Sequence, residues 1–143
     1  MNVQHILGSK PPGTVVIAPS SAVMEAVELL SARRIGAVVV SEDGVRVEGI
    51  LSERDIVREL GRRGTACLRE PVSSLMTTKV VACEVRDSAV SVLERMTAGR
   101  FRHMPVMEGE AMIGVISIGD VVKARMTEME QENASLTDLI KGY

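Results

Sequence analysis

Apolar positions along the first half of the chain switch period in a fixed order, and the second half repeats that order. Thr14-Val15-Val16-Ile17 is a compact β-branched run and reads as a short strand. Val23, Ala26, Val27 and Leu30 then recur at i, i+3, i+4, i+7, so the stretch from Ala22 to Arg34 is expected to be a helix with one apolar face. Ala37 to Val40 and Ile50-Leu51 flank Ser41-Glu42-Asp43-Gly44, which predicts a hairpin. A second helix is expected to open after Ser52 and to break at Gly61-Arg62-Arg63-Gly64-Thr65. The same series returns as strand Val80 to Cys83 and helix Ala89 to Phe101, whose face is Val90, Leu93 and Met96 or Thr97. Strand Met104 to Met107 and the turn around Gly109 follow. Pro19-Ser20-Ser21 and Arg86-Asp87-Ser88 supply N-cap chemistry to the two helices.

The repetition reaches individual residues. Gly49-Ile50-Leu51-Ser52-Glu53-Arg54-Asp55-Ile56-Val57 reappears as Gly114-Val115-Ile116-Ser117-Ile118-Gly119-Asp120-Val121-Val122. One such unit rarely buries its apolar face alone, whereas two stacked units can. The pattern predicts an α/β fold of two β-α-β-β-α repeats related by a pseudo-two-fold axis, with an added C-terminal helix. The expected divisions are 1–64, 65–125 and a helical tail, 126–143. In the tail Val122, Met126, Met129, Asn133, Leu136 and Ile140 are spaced alternately by four and three. This is a heptad seam with Asn133 at an a position. Such a seam either meets a partner helix or lies on its own domain.

Composition narrows the partners. The chain has 143 residues, 45% of them hydrophobic, and a net charge of -2, which argues against a polyanion such as nucleic acid. No apolar run approaches the roughly 20 residues that span a bilayer, and Met1-Asn2-Val3-Gln4-His5 has none of the features of a signal peptide. Cys67 and Cys83 form no CxxC pair, which fits reduced thiols and a cytoplasmic location. Phe101 and Tyr143 are the only aromatic residues, so the core is expected to be aliphatic, with the nine methionines as filler. A planar ligand would be gripped by Val, Ile and Met.

Ser52-Glu53-Arg54-Asp55 and Ser117-Ile118-Gly119-Asp120 share the pattern S-x-x-D at a strand-to-helix junction. One reading is a helix cap, with Ser at the N-cap and an acidic residue at N3. The other is a ligand site, in which the Asp accepts hydrogen bonds from a ribose diol while the hydroxyl and free amides face a phosphate. Spacing alone leaves both open. His5 and His103 lie in different repeats, and no metal set, nucleophile or close acid/base pair is legible, so enzyme activity is not expected.

The motif Gly-h-h-Ser-x-x-Asp closing each repeat (h, hydrophobic), with Arg102-His103-Met104-Pro105-Val106 before the second, resembles the CBS (cystathionine β-synthase) domain. About Val3 to Ala124 is similar to a tandem CBS pair, or Bateman module, of the stand-alone bacterial signal-transduction type. The resemblance implies clefts that bind adenosine-containing ligands (AMP, ADP, ATP, NAD, S-adenosylmethionine), with the Asp on the ribose. It also implies homodimers in the form of flat discs. Carried onto this chain, it puts Val115, Ser117, Gly119 and Asp120 with Lys10, Val15 and Arg34 in one cleft, with Arg102 and His103 nearby. The second cleft takes Ile50, Ser52, Arg54 and Asp55 with Thr77, Ala82 and Phe101, with Ile35 and Gly36 where the twin has Arg102-His103. Four basic side chains make the first cleft the expected site for the more anionic ligand; the alternative for Arg34 and Arg100 is to complete helix C-terminal dipoles. Val38 departs from the pattern where the second repeat is taken to have Pro105. The implied function is a regulatory adenine-nucleotide sensor acting in trans on an unknown protein partner. The alternative is an interaction protein with vestigial clefts that works through the Met126 to Ile140 helix.

Overall fold

The computed structural model describes residues 1–142. In chain order the elements are α1 (Val3–Gly8), β1 (Val16–Ile17), α2 (Val23–Arg33), β2 (Ala37–Val40), β3 (Gly49–Ser52) and α3 (Glu53–Arg63). Two 3₁₀ turns follow (Gly64–Arg69, Val72–Ser74), then α4 (Ala89–Gly99), β4 (His103–Glu108), β5 (Ala111–Ser117) and α5 (Ile118–Lys141). The chain forms two compact units. One comprises 1–12, 82–106 and 114–142, and the other comprises 13–81 and 107–113. Division by compactness therefore differs from division by repeat: the first twelve residues group with the second repeat.

The unit of residues 13–81 and 107–113 holds a three-stranded sheet ordered β1-β2-β3. β1 is parallel to β2 (Val16 opposite Val39), and β2 is antiparallel to β3 (Val40 opposite Gly49, Ala37 opposite Ser52). The expected hairpin forms. Its loop is held by Asp43, whose Oδ1 accepts the Val45 and Arg46 amides at 2.9 Å each, and by buried Ser41, whose Oγ accepts the Gly44 amide at 2.9 Å. Val23, Ala26 and Leu30 of α2 pack against Val38, Val40, Leu51 and Ile56. The expected N-cap at Pro19-Ser20-Ser21 is not used. Ala22 is the N-cap, its methyl side chain has no acceptor, and the Val23 amide donates instead to Glu70 O at 2.9 Å. α3 also runs past the expected break at Gly61 to Arg63. A mid-helix Gly costs about 1 kcal/mol, but Glu59 accepts from both Arg62 and Arg63 at 2.8 Å across that turn. The helix ends at Gly64, whose positive φ of 74° suits it to the turn.

The other unit packs Val3, Ile6, Val92, Met96, Met104, Ile116, Val121 and Ala124 into an aliphatic and methionine core. Its first element, α1, was not expected. Six residues rarely hold a helix by propensity, and here Asn2 and His5 form a reciprocal cap while the Val3 and Gln4 amides donate to Asp87 O and Val85 O at 2.9 Å. The expected strand Val80 to Cys83 reduces to one parallel bridge, Cys83 to Val106. Ser88 caps α4 by accepting the Ser91 amide at 3.0 Å. The tail is not a separate element: α5 is one helix of 24 residues from Ile118 to Lys141.

Both α2 and α4 end on an arginine in the left-handed region, Arg34 at φ 54° and Arg100 at φ 57°. This shared break sets the correspondence from the helix ends through the next strands at 66 residues, against 65 at the S-x-x-D motifs, and pairs Gly36 with Arg102 and Val39 with Pro105. The sequence-based pairing of Ile35-Gly36 with Arg102-His103, and of Val38 with Pro105, is therefore one residue out of step.

Candidate functional site

Each S-x-x-D motif sits where a strand turns into a helix, and both build the same turn. Ser52 Oγ accepts the Asp55 amide at 3.2 Å, while Asp55 Oδ2 accepts the Ser52 amide at 3.0 Å. Ser117 Oγ accepts the Asp120 amide at 3.2 Å, and Asp120 Oδ2 accepts the Ser117 amide at 2.9 Å. These are complete capping boxes, so the structural role stands whether or not a ligand binds. A backbone bond ties the preceding segment to each turn: Glu53 N to Gly36 O at 2.9 Å, and Ile118 N to Arg102 O at 2.8 Å. In this way Gly36 is brought beside Ser52, and Arg102 beside Ser117.

The two turns differ in what else holds the carboxylate. Lys10 Nζ donates to Asp120 Oδ2 and to Val115 O, each at 2.7 Å, so it joins strand β5 to the first turn of α5. Burial is the largest single effect on the Asp120 carboxyl and disfavours its charge. The bonds from Lys10 and Ser117 outweigh it and hold the group below the usual carboxylate value. In the other turn Asp55 is 7% exposed, and both its oxygens are engaged: Oδ2 by Ser52 and Oδ1 by Arg58 Nη2 at 2.9 Å. Arg58 was not among the candidate residues. Its signal was present in the sequence as an i, i+3 acid–base pair.

The remaining candidates divide between the units. Lys10, Arg102, His103, Val115, Ser117, Gly119 and Asp120 share one unit, in which Arg102 is exposed and His103 half-buried. Val15 and Arg34, expected beside them, belong to the other unit. There Ile50 and Thr77 are joined by two backbone bonds, Ile50 N to Thr77 O at 3.0 Å and Thr77 N to Ile50 O at 2.8 Å, with Ile35, Gly36, Ser52, exposed Arg54 and Asp55 in the same unit. Ala82 and Phe101, expected with that group, lie in the first unit, where the Ala82 carbonyl accepts from Arg95 Nη1 at 2.9 Å. Of the expected cluster of Lys10, Arg34, Arg102 and His103, one unit holds Lys10, Arg102 and His103, and there the Lys10 ammonium is paired with Asp120, while Arg34 belongs to the other unit.

The glycine that opens each motif marks a close approach. A β-carbon at Gly49 would lie 2.7 Å from Met76 Sδ and 2.9 Å from Thr77 O, and one at Gly114 would lie 2.7 Å from Leu7 Cδ2. Separately, Met24, Val27, Leu30, Arg34, Ile56, Val57 and their neighbours line an open apolar groove of about 700 Å³ along α2 and α3. Ile35, Gly36 and Glu53 also line it, so the groove reaches the edge of the Ser52-Asp55 turn, although Ser52, Asp55 and Thr77 do not line it. Among the described residues no cluster of His, Cys, Asp and Glu could hold a metal ion, and no helix is long and apolar enough to cross a membrane.

Two strand-to-helix turns of one design, each closing an α/β repeat, define a tandem-repeat module. The CBS domain family model matches residues 5–62 and 72–127, and the chain belongs to that family. The crystal structure of the CBS-domain containing protein ATU1752 from Agrobacterium tumefaciens is 45% identical, with a TM-score of 0.83, covering 87% of this chain and 99% of that one. The CBS domain protein PAE2072 from Pyrobaculum aerophilum, solved as a complex with AMP, is 25% identical with a TM-score of 0.74, covering 84% and 89%. CBSX3, a mitochondrial CBS domain-containing protein of Arabidopsis thaliana, is 33% identical over 124 residues, 84% of this chain. The chain spans 60% of that plant protein's length and 21% of the next two plant relatives.

Proposed function

We propose that the chain is a regulatory module that binds an adenosine-containing nucleotide at its S-x-x-D turns and passes occupancy to a separate protein. The observation that carries this reading is the Asp120 turn. It presents a carboxylate held in its charged form, able to accept from a ribose diol, at a helix N-terminus with a lysine ammonium 2.7 Å away. A ribose and a phosphate need those two chemistries side by side. The AMP held by the Pyrobaculum protein supports the adenosine class. AMP, ATP and NAD all fit it, and the aliphatic surroundings make van der Waals grip and backbone bonds the means of holding the base. No catalytic step is assigned to the chain. The module is proposed to work in the cytoplasm as a homodimer, and the open groove beside exposed Met24 and Val57 gives one apolar face for assembly.

The full chain should be tested by thermal shift and calorimetry against AMP, ADP, ATP, NAD, S-adenosylmethionine and GMP. Asp120→Ala and Asp120→Asn should be run alongside. A ligand at 100 times its dissociation constant adds about 2.7 kcal/mol to stability. The expected result is stabilisation by an adenine compound that is lost in both variants. No stabilisation by any of them, from protein free of carried-over ligand, rejects the reading. That outcome would favour an interaction protein, a reading to which the complete capping boxes and the exposed face of α5 also lend weight.

A further inference from the structure

We infer that α5 pairs in parallel and in register with the same helix of a second copy. The buried residues of α5 are Val121 and Ala124; beyond them Met126 is 57% exposed, Met129 51%, Leu136 58% and Ile140 84%. The 16 residues from Met126 to Lys141 extend about 24 Å, and a bare helix of that length is marginal in water. These four side chains share one stripe. With Val122, Met129 and Leu136 at d and Met126, Asn133 and Ile140 at a, the stripe is a continuous coiled-coil seam.

The flanking charges choose both the occupant and its direction. In a parallel in-register pair each g residue faces the e residue five positions on in the other helix. Arg125 then meets Glu130 of the second copy, twice by symmetry, while Glu132 meets Thr137 and Ile118 meets Lys123. All of these pairs are either opposite in charge or neutral on one side, and Asn133 faces Asn133, the arrangement in which an a-position Asn fixes register. The antiparallel pair with full overlap puts Asn133 against Met129, Glu130 against Glu130 and Glu132 against Glu132. Like charges facing each other are unfavourable. The Arg125 guanidinium donates through Nη1 to Glu128 of its own helix and has further N–H groups for a second acceptor. The seam begins on the helix whose first turn carries Asp120, but the pairing does not depend on nucleotide binding.

The test uses the full chain carrying Asn133→Cys under a mild oxidant. Native Cys67 and Cys83 are buried and do not compete. Opposed a positions lie within disulfide reach, so a covalent dimer is expected as the main product. Adding Leu136→Glu, at an exposed position that leaves the fold intact, should abolish it. Arg125→Glu in the Asn133→Cys background should slow cross-linking several-fold, and Glu130→Arg added to that variant should restore the rate. Failure of Asn133→Cys to cross-link overturns the inference, as does faster cross-linking with Glu130→Gln alone, which relieves the Glu130–Glu130 repulsion of the antiparallel pair but loses the Arg125–Glu130 attraction of the parallel one. A dimer built only on the α2–α3 groove gives no cross-link. Nucleotide stabilisation is read in a separate assay, so the two proposals fail independently.

Discussion

Asp55 and Asp120 occupy the same place in their repeats, and each accepts the preceding serine's amide on its carboxylate and donates its own amide to that serine's Oγ, yet they differ in their cation. Lys10 reaches Asp120 from far away in sequence, whereas Arg58 reaches Asp55 from within one helical turn. The depressed pKa of Asp120 sets a direction for acid stability. A carboxyl whose folded pKa lies below its unfolded value contributes stability that is full above the unfolded value and fades as pH falls through the folded one. Asp120→Asn should therefore be less stable than the parent near neutral pH. Its stability should also fall less steeply between about pH 5 and pH 2. Asp43 and Asp87, lowered chiefly by backbone hydrogen bonds, give parent and variant a common acid slope, so the difference in urea midpoints is the quantity to read. Superimposable acid limbs would remove Asp120 from the account. Cys83 is the opposite case: burial pushes its thiol up to about 11. At pH 8 about one thiol in a thousand is then ionised, and neither buried cysteine should react with iodoacetamide until the protein is unfolded. Rapid labelling of native protein would show that the packing around Cys83 opens.

At the scale of elements, the periodic signals in the sequence were good guides where an element carries its own pattern. The face of α2, the β2–β3 hairpin and the S-x-x-D capping turns follow from spacing. The face of α4 is a correction: Ala89, Val92 and Met96 are buried, Leu93 only flanks them, and Val90, expected on that face, is 41% exposed. What escaped was structure supported from elsewhere in the chain. Helix α1 exists because residues 85–87 accept its first amides, and α2 starts at Ala22 because Glu70 O satisfies Val23. The one-residue slip in aligning the repeats has a similar cause. Residue identity offers Pro105 as a landmark, whereas the left-handed arginine at each helix end, which residue identity does not show, sets the correspondence. The repeated glycine was legible as a repeat, though its reason was not. At Gly49 an added β-carbon would meet backbone as well as Met76, while at Gly114 it would meet the tip of a flexible leucine. Overpacking of this kind costs about 1–3 kcal/mol. Gly49→Ala should sit at the upper end of that range and Gly114→Ala at or below the lower end, by urea unfolding. Equal losses would mean that the segment at Thr77 can move aside as easily as Leu7 does.

For the whole molecule, duplication supplied two copies of one turn, and later sequence change gave them unlike electrostatic surroundings. The sequence made the two S-x-x-D turns legible. It could not show that Lys10 is already bound to Asp120, since a contact between residues 10 and 120 leaves no local pattern. The difference bears on how the two sites would share a ligand. Around Asp120 the unit offers Lys10 and exposed Arg102, whose charge a phosphate would meet directly. Around Asp55 both carboxylate oxygens already accept bonds, so a ribose there would compete with Arg58 for Oδ1. Affinity for AMP, ADP and ATP is therefore expected to fall more in Asp120→Ala than in Asp55→Ala, with the gap widening as ligand charge grows and narrowing as salt screens it. Each variant also loses one side of a capping box, a stability cost of about 0.5–2 kcal/mol common to both. Calorimetry well below the melting temperature separates binding from folding. Equal losses at every ligand charge would show that the basic residues near Asp120 serve the fold alone. A larger loss in Asp55→Ala would move the principal site to the turn that Arg58 now closes.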